Sequence, residues 1–231
     1  MMMDAETKSM VQQACASRKA MYDMLAGLYY EPLSAERIEE MARTDYREFG
    51  EANALMASGF NDITRALRKR HTGTRQQLAV DFTASFGGTS SFKGKVAVPY
   101  ASVFLSARGL LNQEPRNEVY FAYRKERLAV SNKSIPADHL SFELEFMGIL
   151  SERIGQAVQA DDIARAQELV RLSQEFLTEH VLSWFYIFKE LALNIIKTRF
   201  YRGVLDVSDG YFDLDLEVMA ELAETLGESD V

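Results

Sequence analysis

The sequence predicts an all-α fold, a compact bundle of roughly eight to eleven helices with no significant sheet. Three observations predict it. Apolar residues recur at three- and four-residue spacing in almost every segment. Glycine (13) and proline (4) are few for 231 residues, whereas a many-stranded fold needs turn residues every ~8–12 positions. A composition of 47% hydrophobic and 26% charged residues supports a sizeable core and excludes a disordered chain.

Each helix can be justified in turn. Lys8 to Tyr30 carries Val11, Ala14, Met21, Leu25 and Leu28 on one stripe. Pro32 ends it, because the residue before a proline is pushed out of the α region. Ser34 reads as the N-cap of a short helix through Met41, with Glu36, Glu39 and Glu40 on its wet side. Further helices are expected from about Tyr46 to Arg70 and from Thr74 to Ser85. The segment Gly87 to Lys95 is a loop. Helical character resumes near Ala101 and again from Asn117 to Val130, and Ser131-Asn132-Lys133-Ser134 forms a second loop.

Pro136 is expected to open a long helix striped by Leu140, Leu144, Met147, Leu150, Ile154 and Val158. Asp161-Asp162 caps the next, which continues to about Thr178. Val181 to Phe200 is apolar on nearly every face, as suits a helix buried in a bundle. A last helix is expected over Leu214 to Leu226, after a turn at Asp209-Gly210. The chain reads as one domain over 1–231, and loop 131–135 divides it into candidate lobes 1–130 and 136–231.

Charge and motif content narrow the function. Lysine plus arginine number 26 against 34 acids, a net charge of −8. That disfavours phosphate backbones, so no nucleic-acid partner is expected, and it favours cationic ones. A single cysteine, Cys15, excludes an internal disulfide and a Cys-rich zinc site, and its helical setting points to a buried inert thiol. The start Met1-Met2-Met3-Asp4 has no basic or apolar export region, and the most apolar stretch, Val181 to Phe188, is too short to span a membrane. A cytoplasmic protein is expected. Gly88 to Gly94 fails as a P-loop, because five residues intervene and Val96 replaces the magnesium-binding Ser/Thr. None of His71, His139 and His180 follows a glutamate by three residues, so no di-iron pair exists. No metal or other cofactor is expected.

Ser134-Ile135-Pro136-Ala137-Asp138-His139-Leu140 is the most informative segment. Asp138 falls where a helix offers free amides at its positive end. It either caps that helix, with His139 a solvated neighbour, or the pair forms part of a site. His139 titrates near neutrality when unperturbed and can tune a site with pH, while His180 most simply terminates a helix. Trp184 and Phe188 are expected in the core.

The tetrapeptide Pro136-Ala137-Asp138-His139 resembles a signature of the TorD/DmsD family of cytoplasmic chaperones for twin-arginine-exported molybdoenzymes. Arg18-Lys19-Ala20-Met21-Tyr22-Asp23-Met24-Leu25 through Tyr29-Tyr30-Glu31-Pro32 resembles the family's first helix. Asp81-Phe82 with Phe86, then Val98-Pro99-Tyr100-Ala101-Ser102-Val103-Phe104-Leu105, resembles its aromatic segment. Gln174-Glu175-Phe176-Leu177-Thr178-Glu179-His180-Val181-Leu182-Ser183-Trp184-Phe185 resembles its helix junction. The similarity runs over most of the chain in the family's order. It departs at Ser134-Ile135, where the family often has an acid before the proline, and at Tyr100, where some members have tryptophan.

The resemblance implies a binding protein that holds the twin-arginine signal peptide of an immature molybdenum-cofactor oxidoreductase, of the sulfoxide or amine-oxide reductase kind, until cofactor insertion and export. The implied peptide-binding residues are Pro99, Tyr100, Ser102, Phe104, Pro136, Asp138 and His139, with Phe86, Met147, His180 and Trp184 as groove or core support. Weak guanine-nucleotide binding is a theme of the family, and the oligomeric state is expected to be monomer or homodimer. Carboxylates suit the two guanidinium groups of such a peptide, and Met-rich aromatic surfaces suit its variable apolar part. Two other classes stay open: a helical adaptor or dimerising regulator without leader specificity, and a nucleotide hydrolase on a helical scaffold.

Overall fold

Most of the helices begin where a side chain or proline can occupy the unpaired first amides. The computed structural model describes residues 3–47, 49 and 52–227. Asp4 accepts from the Thr7 N–H and caps α1 (Ala5–Tyr30), and Ser34 caps α2 (Ala35–Arg43) through the Arg37 N–H. Asn53 caps α3 (Ala54–Arg68). After α4 (Thr74–Ser85) a long loop leads into the single turn of α5 (Ala101–Leu105). Pro115 sits in the first turn of α6 (Glu114–Lys125). There follow α7 (Leu140–Gln159) and α8 (Ile163–Phe176), the latter capped by Asp162 through the Arg165 N–H. A π-helical turn (Leu177–Leu182), α9 (Ser183–Leu193) and α10 (Arg199–Thr225) complete the chain. No strand occurs among the described residues. Among these residues only two isolated antiparallel bridges form, Phe92 with Lys95 and Tyr100 with His139, so the all-α expectation holds.

Several boundaries differ from the expected ones. The Tyr46–Arg70 helix is confined to Ala54–Arg68 because Asn53 caps it, and residues 48, 50 and 51 of that expectation lie outside the described residues. The Asn117–Val130 helix starts earlier, at its proline, and stops at Lys125, since the chain turns left-handed at Arg127 (φ 57°). Val181–Phe200 is not one helix. Asp81 on α4 accepts from the Lys197 and Thr198 N–H groups and the Thr198 hydroxyl, and so starts α10 afresh. No turn occurs at Asp209-Gly210, because α10 runs unbroken through both.

That last difference has a packing reason. Gly203 and Gly210 lie on the face of α10 that meets α3, where a glycine admits a backbone rather than a break. A Cβ on Gly203 would stand 2.5 Å from the Gly59 carbonyl oxygen of α3, and one on Gly59 would stand 2.6 Å from the Gly203 carbonyl. The second main pairing is α1 along α7. Asp215 of α10 receives Arg18 of α1 in a buried bidentate ion pair (2.6 and 3.0 Å), and the Tyr22 hydroxyl donates to the same carboxylate (2.6 Å). Cys15 is buried on α1, and burial pushes its thiol up to about 11, as befits an inert core residue.

The contact of α3 with α10 yields a test. Gly203→Ala places a methyl group against backbone that cannot yield, and overpacking of this kind costs about 2–3 kcal/mol. The melting temperature should fall by roughly 5–10 °C for a chain of this size, measured by circular dichroism. An unchanged melting point would refute the close approach.

Candidate functional site

The aromatic segment before α5 and the segment before α7 are brought together by main-chain bonds in both directions. The Ala101 N–H donates to the Asp138 carbonyl (3.1 Å), and the Leu140 N–H donates to the Pro99 carbonyl (2.9 Å). Pro99, Tyr100 and Ser102 are thereby neighbours of Asp138 and His139. Pro136 does not open the helix. α7 begins four residues later, after a turn in which the His139 N–H donates to the Pro136 carbonyl (3.2 Å) and His139 bridges to Tyr100.

Asp138 therefore caps a different helix from the expected one. Its Oδ2 accepts from the Ser102 N–H (2.8 Å) and the Ser102 hydroxyl (2.5 Å), so the carboxylate sits at the start of α5 instead of α7. Asp138 is 0% exposed. The cap of α7 is His139, whose Nδ1 accepts from the Ser141 N–H (3.1 Å) and lies 2.7 Å from the Ser141 hydroxyl. An accepting Nδ1 places the ring proton on Nε2 in the neutral form. His139 is buried rather than solvated, its ring edge-on to Tyr100 at 4.8 Å, and burial pulls its pKa down to about 4.

The other expected residues divide between rim and core. Phe104 is half-buried and stacks on Trp184 (centroids 5.5 Å apart, planes at 15°). Trp184 is fully buried, and its indole N–H donates to the His180 carbonyl (2.6 Å). Met147 is fully buried under α7. Phe86 belongs to an aromatic core with Tyr29, Phe82, Phe188 and Tyr201. His180 does not end a helix. It lies half-buried in the π-helical turn, 4.9 Å from Phe176, and burial lowers its pKa.

A cleft of about 690 Å³ opens beside Phe104, between the loop at Phe92–Val96, the end of α5 and α9, with Ile187, Glu190 and Leu191 on its α9 side. Leu105, Leu110 and Leu111 are exposed close by along the chain. Two residues here escaped the sequence reading. Glu143 is buried in the first turn of α7, and Tyr123 of α6 donates its hydroxyl to the Ala137 carbonyl (3.1 Å). An acid within an otherwise apolar helix face was the available signal for Glu143. Tyr123 had none. Among the described residues no group of three or more His, Cys, Asp or Glu side chains could hold a metal ion, and no helix is long and apolar enough to cross a membrane.

Residues 51–190 match the model of a family described as the nitrate reductase delta subunit. The chain belongs to that family. The match contains Asp81, the Pro99–Phe104 segment, Asp138, His139 and Trp184. Similar curated family relatives carry the name chaperone protein TorD. The one from Aliivibrio fischeri is 27% identical over 210 residues, covering 88% of this chain and 94% of its own. The one from Vibrio vulnificus (strain YJ016) is 29% identical over 210 residues, covering 87% and 94%. These findings bear out the resemblance to TorD chaperones. A solved structure described as a redox enzyme maturation protein, from Archaeoglobus fulgidus, overlaps 69% of this chain and 90% of its own at a TM-score of 0.39 and 18% identity. At that distance it adds nothing to the fold assignment.

The buried cap makes a pH prediction. Unfolded His139 binds a proton near its usual 6.5, and folded His139 binds one only near 4. Between these values the unfolded state holds more protons, so stability is complete above about pH 6.5 and falls as the pH drops toward 4, by about 3 kcal/mol in all. His139→Asn keeps an N-capping side chain but cannot titrate, and should flatten the melting curve across that window. His139→Ala should lower stability by about 0.5–2 kcal/mol above pH 6.5 through the lost cap, and should lose less than wild type as the pH falls toward 4. Equal pH slopes in wild type and His139→Asn would exclude His139 as the titrating group.

Proposed function

We propose that this protein is a redox-enzyme maturation chaperone that binds the twin-arginine signal peptide of a molybdenum-cofactor oxidoreductase in the cytoplasm and holds it until the cofactor is in place. The observation that carries the reading is the pairing of Pro99–Ser102 with Asp138–Leu140 beside the cleft of α5 and α9, in a chain whose relatives are named TorD chaperones. A signal peptide offers arginines followed by an apolar run. The cleft offers Phe104, Ile187 and Leu191 to the run, with Glu190 at its edge. The net charge of −8 steers a cationic segment toward the protein. The chain acts by binding and not by covalent chemistry.

Calorimetric titration of a synthetic twin-arginine signal peptide tests the reading. Ile187 is 55% exposed, so Ile187→Asp should leave the melting point nearly unchanged. It should weaken binding about tenfold, because a charge then meets the peptide's apolar run. Replacing both peptide arginines by alanine should weaken binding at least as much. A protein that does not bind the peptide, or binds both peptides alike, would sink the proposal.

A further inference from the structure

Three carboxyl oxygens beneath α5 have no hydrogen-bond partner: Oδ1 of Asp138 and both oxygens of Glu143. Both side chains are 0% exposed. An unpartnered buried acid is among the more costly arrangements in a protein interior, and helix packing does not call for one here, since the surrounding residues of α7 are Leu140, Phe142, Leu144 and Met147. The groups that reach Glu143 are Asp138 from the preceding segment, Tyr123 from α6 and the Trp184 indole from α9. None of them is a cation.

We propose that Glu143 is a second guanidinium-binding carboxylate of the signal-peptide site, uncovered together with Asp138 when the segment 101–113 lifts. The proposal rests on the reading in the preceding subsection and names the residue that would take one of the peptide's arginines. The placement of α5 supports it. Ser102 lies on Asp138 and Phe104 lies on Trp184, so one five-residue helix covers both groups that flank Glu143. Its first turn is held by Asp138 and its Phe104 by Trp184, so the hold is concentrated at the two groups a peptide would have to displace, and the chain that follows is largely exposed and turns left-handed at Gly109 and Asn112. Lifting α5 would also free Oδ2 of Asp138. A guanidinium carries five N–H donors in a planar fork, a match for clustered carboxylate oxygens that a lysine ammonium lacks.

The proton balance follows. Burial pushes the Glu143 carboxyl well above the usual range, and the Asp138 charge pushes it further. Closed, Glu143 holds a proton. An incoming guanidinium favours the carboxylate, and the displaced proton goes to solvent.

The experiment is titration of the twin-arginine peptide into wild type and Glu143→Gln at neutral pH, in phosphate and in Tris, whose different ionisation heats count the protons released. Glutamine mimics the protonated acid, so the variant should fold with a melting point close to wild type. Wild type should release about one proton per peptide bound. Glu143→Gln should release none and bind about tenfold or more weakly. Equal affinity in the two proteins with no proton release overturns the role of Glu143 while leaving peptide binding intact. Absence of peptide binding to wild type overturns both.

Discussion

The bidentate pair between Arg18 and Asp215 is the constraint around which the bundle is organised. Both side chains are almost completely buried, and the Tyr22 and Tyr211 hydroxyls complete the shell around the carboxylate. Taking two charges out of water is expensive, so such a pair adds specificity more than stability, and loss of either partner would strand a charge at a cost of about 3–5 kcal/mol. Its position explains its importance. α1 carries α7 on its flank, α10 carries α3, and the ion pair sets the height and rotation at which these two helix pairs meet. The first turn of α7, with Asp138 and His139 just before it, inherits its place from that registration.

Two other buried aspartates work by a shared principle. Asp81 starts α10 and Asp138 starts α5, and each accepts a backbone N–H and a hydroxyl from the helix it begins while belonging to another part of the chain. A helix as short as α5 has no independent stability. It exists because a carboxylate from a distant segment holds its first amides, so the order of this face is controlled at a single buried group.

Much of this was legible in the sequence, for identifiable reasons. Caps at Ser34 and Asp162 were readable because capping is local: the side chain and the amide it accepts lie three residues apart. The neighbourhood of Pro99–Ser102 and Asp138–His139 was readable only through family resemblance, since nothing local joins residues so far apart. What escaped was tertiary in origin. Asp209-Gly210 looks like a turn, but Gly210 lies against Asn53 and Met56 of the α3 start, and close packing overrides its weak helix propensity. Pro136 looks like a helix start, but it opens a separate turn closed by the His139 N–H, and the end of that turn is bonded to Pro99–Ala101 before α7 begins. Asp138 looked like the cap of the helix that follows it, because the amide it holds, that of Ser102, lies elsewhere in the chain.

The π-helical turn at Leu177–Leu182 bears on how the length of this chain can vary over evolution. A turn of this kind accommodates about one residue more than an α-helix of the same rise. Wound as ordinary α-helix, the same residues would rotate everything after them by about 100° and carry Trp184 and Phe188 out of the core. The turn takes up that rotation before Ser183, so α9 keeps its aromatic side inward and Ile187 outward. The joint between α8 and α9 is thus a place where one residue can be gained or lost without moving the helices on either side, whereas a deletion within α9 would bring Lys189 to the position of Phe188.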